Sequence, residues 1–380
     1  MSDVLVLGGG IVGTAAAWDL ARRGHRVTVA DADPEAARNA AGPHGRHAAA
    51  DASDPASLAD LLEDADLVVS AVPYRLGLGV TEAAIGAGAH YLDFGGNPTV
   101  VAAQVGLDEA AAAAGVTVVP DCGLAPGVAN VAAAADVAAL GPGPVDTVGI
   151  RVGALPQEPV GALGYQLAFS PEGLVNEYAE PCEVLRDGAL VTVEPLTEFE
   201  EIAWPGIGTL EAFHTAGGSS SLARRWQGVV THLDYKTLRY PGHGRTFRAM
   251  YELGLFDEEP RSYGRARIAP RTVLIDALAA GLASGAPDLV LLRTRASASR
   301  HGTVVTASHQ MVDRHDGRFS ALARTTAFPA TALADLILRG ISARPGVRTM
   351  DEAVDAATLL PELEPLGIVF DRHEPRPTGG

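Results

Sequence analysis

Three glycines near the amino terminus have the spacing of a phosphate-binding turn. Gly8, Gly10 and Gly13 fit G-x-G-x-x-G, after the apolar run Val4-Leu5-Val6-Leu7 and before an Ala-rich helical stretch. Gly8 permits the tight turn, Gly10 lets the backbone approach a pyrophosphate, and Gly13 lets helix and strand pack closely. Ile11 and Val12 open the helix, whose free N–H groups then face the phosphates. Asp31 closes the second strand, where an acid bonds the ribose hydroxyls of an adenosine. A carboxylate there repels a 2′-phosphate, and the nearest Arg is Arg38, so NAD is expected as cofactor rather than NADP. A second chemical feature is Lys236, the single lysine beside 28 arginines. High Ala, Arg and Gly with scarce Lys and Asn suggests a GC-rich coding sequence. A lysine retained under that pressure is a candidate for work that a guanidinium cannot do, since it can lose its proton near neutral pH when buried.

These residues need a scaffold. Alternating strands and helices run to about residue 125. Segments 67–72, 90–93 and 116–119 read as buried parallel strands. Their ends carry Asp51-Ala52, Ala71-Val72-Pro73-Tyr74, Asp93-Phe94-Gly95-Gly96-Asn97 and Asp121-Cys122-Gly123. Ligands of an open parallel sheet bind beyond the carboxyl ends of its strands. Asp33, Asp51, Ala52, Ala71, Val72, Pro73, Gly95, Ala125 and Pro126 are therefore expected to ring the cofactor. After Pro126 the pattern changes. Segments 147–152, 190–193, 304–311 and 320–326 have strand character, with proline turns between the early ones. From Pro329 the chain turns helical again. The expected fold class is α/β: an N-terminal Rossmann dinucleotide-binding domain plus an α+β substrate and dimerisation domain with a mixed, largely antiparallel sheet. Its expected boundaries are 1–127 with 329–370 for the first domain and 128–328 for the second. Residues beyond Arg372 are Pro/Gly-rich and expected to be disordered.

The net charge of −17 argues against nucleic acid and anionic membranes as partners. No apolar run reads as long enough to span a bilayer, and no signal peptide precedes the first strand. Two cysteines, Cys122 and Cys182, make no disulfide framework, and a reducing cytoplasm is expected. No metal is expected. Metal-ligand spacings are absent, and His44 and His47 flank glycines in a surface-type loop.

The chain resembles the saccharopine dehydrogenase-like oxidoreductases. The resemblance is carried by the glycine fingerprint, by Tyr91-Leu92-Asp93-Phe94-Gly95-Gly96 and by Pro120-Asp121-Cys122-Gly123-Leu124-Ala125-Pro126-Gly127. It continues in Leu210-Glu211-Ala212-Phe213-His214-Thr215-Ala216-Gly217-Gly218 and Tyr235-Lys236-Thr237-Leu238-Arg239-Tyr240 with Gly242-His243. It covers most of residues 1–255 and weakens beyond. Saccharopine-forming relatives typically carry an acid where this chain has Ala125, which favours the branch that oxidises the ε-amine of L-lysine. The resemblance implies an NAD-dependent reaction in which hydride leaves Cε, an imine forms, water adds and ammonia departs. It also points to a homodimer.

An ammonium cannot release hydride, so the site must take a proton or bind the free amine, whose pKa is about 10.4. Candidate bases are His214, Lys236 and Tyr235. Arg239 is a candidate clamp for the α-carboxylate, and Ser219 and Ser220 offer hydroxyls and N–H groups behind two glycines. Glu211 or Asp93 would meet the α-ammonium. Tyr74, Asn130, Thr215 and His243 complete the candidate substrate residues. Two other readings stay open. One is a reductase of the same fold that joins an amine to an aldehyde. The other is an NAD-binding sensor, which would have no need for the clustered His214, Lys236, Arg239 and His243.

Overall fold

The computed structural model describes residues 1–377 apart from 44, 96, 283, 284 and 343. His44 of the glycine-flanked loop and Gly96 of the strand-end motif therefore lie outside the described residues. The chain divides into two compact units, 1–135 with 323–369 and 136–322 with 370–380.

The first unit begins with strand, turn, helix, strand as the fingerprint requires. The elements are β1 Asp3–Leu7, α1 Ile11–Arg22, β2 Arg26–Asp31, α2 Pro34–Ala41, β3 Arg46–Ala49 and α3 Pro55–Glu63. They continue with β4 Leu67–Ser70, α4 Gly77–Ala87, β5 His90–Asp93, α5 Pro98–Val105, α6 Asp108–Ala114 and β6 Thr117–Val119. Three of these helices start on Pro behind an acid or amide cap: Asp33, Asp54 and Asn97 each accept a backbone N–H of the first turn. Such a side chain satisfies one of the donors a helix start leaves orphaned. Val4, Leu5, Val6, Leu67, Val68 and Val69 are fully buried, as expected for parallel strands covered on both faces.

Helix α7, Val128–Ala139, leads into the second unit. There follow β7 Val145–Pro156, α8 Pro171–Ala179, β8 Cys182–Arg186, β9 Ala189–Val193, β10 Glu200–Trp204, β11 Gly208–His214, α9 Leu222–Arg225 and β12 Val230–Arg239. Then come α10 His243–Glu252, the hairpin β13 Arg261–Tyr263 and β14 Ala266–Ile268, α11 Pro270–Gly281, β15 Asp288–Arg300, β16 Thr303–Arg314, α12 Ala321–Leu338, β17 Gly346–Val347 and β18 Phe370–Pro377. The first sheet has seven strands in the order β17-β6-β5-β4-β1-β2-β3, all pairs parallel. The second has nine, along β10-β11-β12-β7-β15-β16-β18 with β8 and β9 branching from β12. Among the described residues only β12 and β7 run parallel in it. The expected mixed, largely antiparallel sheet is what forms.

Four expectations need correction. The division falls inside α7 and α12, at 135/136 and 322/323, rather than at 127/128 and 328/329. Segment 320–326 is the start of an 18-residue helix, not a strand. Its paired threonines mimic a strand, but Ala321, Thr325 and Phe328 bury one helical face. Of the tail beyond Arg372, residues up to Pro377 belong to a strand that pairs antiparallel with β16 from Phe370, and residues 378–380 lie outside the described residues. Finally, α12 has by length and composition the apolarity of a membrane-crossing helix, although most of it is buried. Its apolar residues serve a core: Leu333, Ala334 and Leu336 are buried, and Thr331 donates to the buried Asp19 carboxylate at 2.6 Å.

Candidate functional site

In the first unit the glycine turn has the geometry a dinucleotide needs. Gly8 has φ +99°, and a Cβ there would stand 2.7 Å from the Ala71 carbonyl oxygen. A Cβ on Gly13 would stand 1.9 Å from the Gly8 oxygen, so only glycine lets α1 approach the turn. Gly10 caps α1, and a Cβ there meets nothing within 4 Å. The turn is therefore shaped for its own backbone at Gly8 and Gly13 and left open at Gly10, where a phosphate needs room. Ile11 is largely exposed beside it. The Asp31 carboxylate accepts from Gly9 N–H at 2.7 Å and Asp33 N–H at 2.8 Å, tying the turn to the end of β2. The residues present fit a dinucleotide.

A cleft of about 120 Å³ lies at the carboxyl ends of the central strands. Val12, Ala71, Val72, Tyr74, Asp93 and Gly95 line it, so expected cofactor and substrate residues meet there. It is smaller than the roughly 300 Å³ that begins the usual range for whole ligands, and suits one ring. Asp93 is committed to this scaffold. Its oxygens accept from Gly95 N–H, Asp121 N–H, Tyr91 Oη and Gln104 Nε2 at 2.6–3.1 Å. Burial raises its pKa against the pull of those donors. Gly95 must be glycine, because a Cβ would collide with the Asp121 carboxylate. Asp33 caps α2, and Asp51, accepting from Ser53, has its pKa lowered by those hydrogen bonds. Ala52 and Pro73 lie on the loops after β3 and β4, Ala125 and Pro126 on the turn before α7, and buried Asn130 in its first turn.

In the second unit the strand period decides the grouping. Neighbours along a strand point to opposite faces. Tyr235, Thr237 and Arg239 of β12 share a face with Glu211 and Phe213 of β11, whereas Lys236 and His214 are register partners on the other. The three candidate bases do not form one site. Lys236 Nζ donates to the Glu198 carbonyl at 2.7 Å and to Glu200 at 3.0 Å. His214 is fully buried between the Glu198 carboxylate at 3.1 Å and the Tyr235 carbonyl at 3.2 Å. These are structural pairings. Replacing Lys236 by Met is expected to lower stability by about 1.5–3 kcal/mol, the range for hydrogen bonds to charged groups, with kcat/KM held within threefold. Urea denaturation and initial rates check this, and lost activity at unchanged stability would return Lys236 to the chemistry.

The opposite face carries a denser constellation. Arg239 is buried, its guanidinium 4.8 Å from the centre of the Tyr165 ring. Its Nε donates to Tyr178 Oη at 2.9 Å and one Nη to the Leu238 carbonyl. Tyr178 Oη in turn lies 2.9 Å from His243 Nε2, and His243 Nδ1 lies 3.0 Å from the Leu163 carbonyl. A carbonyl only accepts, so Nδ1 carries the proton, Nε2 is the acceptor and Tyr178 donates to it. Burial, then the Arg239 charge, push His243 down to about 3, so the imidazole is neutral. Burial raises the Tyr178 and Tyr235 hydroxyls well above their usual range, and they stay protonated.

Glu177, from the same helix as Tyr178, is the member that sequence reasoning missed. Burial pushes it up to about 7, against the pull of Arg239. The signal for its helix was present: Ser170 caps α8 through Gly173 N–H, Pro171 follows, and Leu174, Val175 and Tyr178 fall on one face. Among the expected substrate residues, Glu211 is occupied, its carboxylate accepting from Gly242 and Gly244 N–H at the start of α10. Thr215 is bonded to Thr237. Gly218 lies across the Tyr235 ring, where a Cβ would come within 2.2 Å of Cζ. That contact brings the loop carrying buried Ser219, and Ser220 at φ +48°, onto the same face.

Two family models match the chain. Residues 4–119 match the family model described as saccharopine dehydrogenase NADP binding domain. Residues 123–368 match the one described as saccharopine dehydrogenase C-terminal domain. A saccharopine dehydrogenase [NADP(+), L-glutamate-forming] of Pyricularia oryzae is 27% identical over 69% of this chain and 59% of its own length. One from Schizosaccharomyces pombe is 26% identical over 69% of this chain and 60% of its own. The chain thus spans about three fifths of the length of these relatives. A solved apo saccharopine dehydrogenase (L-Glu forming) from Saccharomyces cerevisiae superposes with a TM-score of 0.82 over 98% of this chain and 99% of that one. At 20% identity it speaks to the fold alone.

Proposed function

The chain belongs to the saccharopine dehydrogenase family, and from that premise we propose that it is a lysine 6-dehydrogenase. The reaction is oxidative deamination of the ε-amine of L-lysine to the 6-semialdehyde, with ammonia released. The observation that carries the reading is the buried Arg239, set against the Tyr165 ring and hydrogen-bonded to Tyr178, with Glu177 next to Tyr178 on the same helix and its carboxyl pushed up to about 7 by burial. A general base works best with a pKa near the operating pH. Glu177 takes a proton from the ε-ammonium, restoring the lone pair that hydride loss requires. Arg239 meets the α-carboxylate. Neutral His243, accepting from Tyr178, fixes the hydroxyl that receives Arg239 Nε and so holds the guanidinium still. Bound at the glycine turn, the dinucleotide supplies the hydride acceptor.

The printed names of the relatives favour a second reading, in which saccharopine is the substrate and glutamate the product. Product analysis separates the two. Lysine oxidation releases one ammonia per dinucleotide reduced, whereas saccharopine oxidation releases glutamate and no ammonia. Ala125 supports the first reading, being apolar where saccharopine-forming relatives typically carry an acid.

The relatives use NADP, and the cofactor proposed here is NAD. Asp31 supports this, because its carboxylate sits between the glycine turn and the end of β2. A 2′-phosphate beside it meets like charge. Initial rates are expected to favour NAD over NADP at least tenfold in kcat/KM, with Asp31→Ser narrowing the gap. Equal use of both by the native chain would contradict it. The homodimer and the cytoplasmic location belong to the same proposal, and sedimentation of the purified chain tests the first.

A further inference from the structure

The sheet face opposite Glu177 and Arg239 holds a cleft of about 380 Å³. Strand register builds it as a lattice. One row across the sheet reads Gln310, Arg293, Arg151, Lys236 and His214, and the next Ser308, Arg295, Gly149 and Asp234. Gly149 leaves the floor open between Arg295 and Asp234, as its missing Cβ would find only ordinary contacts at 3.6–3.9 Å.

The charge of this cleft runs against the rest of the chain. Four arginines, 151, 186, 293 and 295, line it against two carboxylates, Glu200 and Asp234, in a chain of net charge −17. Two of the four are used up. Arg151 bridges Glu200 at 2.9 Å and Asp234 at 2.8 Å, and Arg186 meets Glu198 at 2.7 Å. The other two are not. Arg293 lies on the Trp204 ring, 4.2 Å from its centre, with Nε donating to Gln310 Oε1 at 2.9 Å. Among the described residues neither Arg293 nor Arg295 pairs with a carboxylate. Burial and the neighbouring Arg295 charge lower the Arg293 pKa, the mark of a cation held without a counter-ion. Stacking on an indole orients a guanidinium while leaving its outer N–H groups for an oxyanion.

The geometry points to a second ligand site in this cleft, for a small dianionic oxyanion, carboxylate or phosphate, clamped by Arg293 and Arg295. Forked guanidinium donors bind either group in two parallel hydrogen bonds, and the volume excludes a macromolecule. Nothing in the proposed lysine chemistry uses these arginines, so the site is a place for an effector.

Isothermal titration of the full chain, with dinucleotide saturating so that the glycine turn is occupied, tests this. The probes are inorganic phosphate and glutarate, each against chloride at equal ionic strength. The site predicts saturable binding of at least one probe, one per chain, weakened tenfold or more in Arg295→Ala and in Arg293→Ala but unchanged in Glu177→Gln. Which probe binds identifies the source of the oxyanion. No saturable binding overturns the proposal, as does binding that Arg295→Ala leaves intact. So does sedimentation showing that Arg295→Ala dissociates a dimer into monomers, because a second copy would then cover the cleft.

Discussion

Replacing Glu177 by Gln is expected to lower kcat/KM for lysine oxidation by about 10²–10⁴, the usual contribution of a positioned base. Gln keeps the size and polarity but cannot take a proton. The native pH profile should rise through about 7, where Glu177 ionises, and then level. In Glu177→Gln that limb should vanish. A carboxylate that only anchored the substrate ammonium would instead raise KM and leave the limb in place. Stability moves the opposite way. The folded pKa lies above the unfolded value of about 4.5, so the native state holds a proton that the unfolded chain releases across that window. Native stability therefore declines as pH rises from about 4.5 through 7. At pH 8 Glu177→Gln should melt higher than the native chain while turning over far more slowly. A variant that is both slow and less stable at pH 8 would contradict the assignment.

The second large effect is structural. Asp136, buried in the last turns of α7, accepts from His309 Nδ1 at 2.7 Å and from Thr294 Oγ1 at 2.5 Å. Thr294 and His309 are register partners on β15 and β16, so one carboxylate fastens the helix to the middle of the nine-stranded sheet. Asp136→Ala leaves a buried imidazole and a buried hydroxyl without their acceptor. Each buried donor left without its acceptor costs about 1–3 kcal/mol. Urea denaturation followed by the fluorescence of Trp204 and Trp226 should show that loss, with Asp136→Asn intermediate because its amide oxygen still accepts one bond. A loss under 1 kcal/mol for the alanine variant would mean that the helix is held by its apolar face alone.

How much of this was legible in the chain differs from residue to residue. The glycine turn was legible because its function is a backbone conformation, and Gly8 and Gly13 occupy positions where any Cβ collides with backbone. The parallel strands were legible because burial on both faces leaves unbroken apolar runs. The grouping of Tyr235 with Lys236 failed for a reason open to pattern reading. Segment 230–239 is a strand, and a period of two sends adjacent side chains to opposite faces. Strand β15 was hidden because Arg293, Arg295 and Arg300 look like surface elaboration, yet Leu289, Leu291, Ala296 and Ala298 of the same strand are buried. Glu177 could not be found by pattern at all. Its motif is an ordinary capped helix, and its pKa is raised only by the burial that folding brings, against the pull of Arg239 from β12.

The reading rests on hydride leaving the ε-carbon of lysine. L-Lysine carrying two deuteriums at C6 tests this most directly, incubated with the purified chain and NAD. The predicted result is reduced dinucleotide bearing one deuterium, with ammonia in equal amount and a slowed rate. Reduced dinucleotide free of deuterium, or reduction seen with saccharopine but not with lysine, would contradict it.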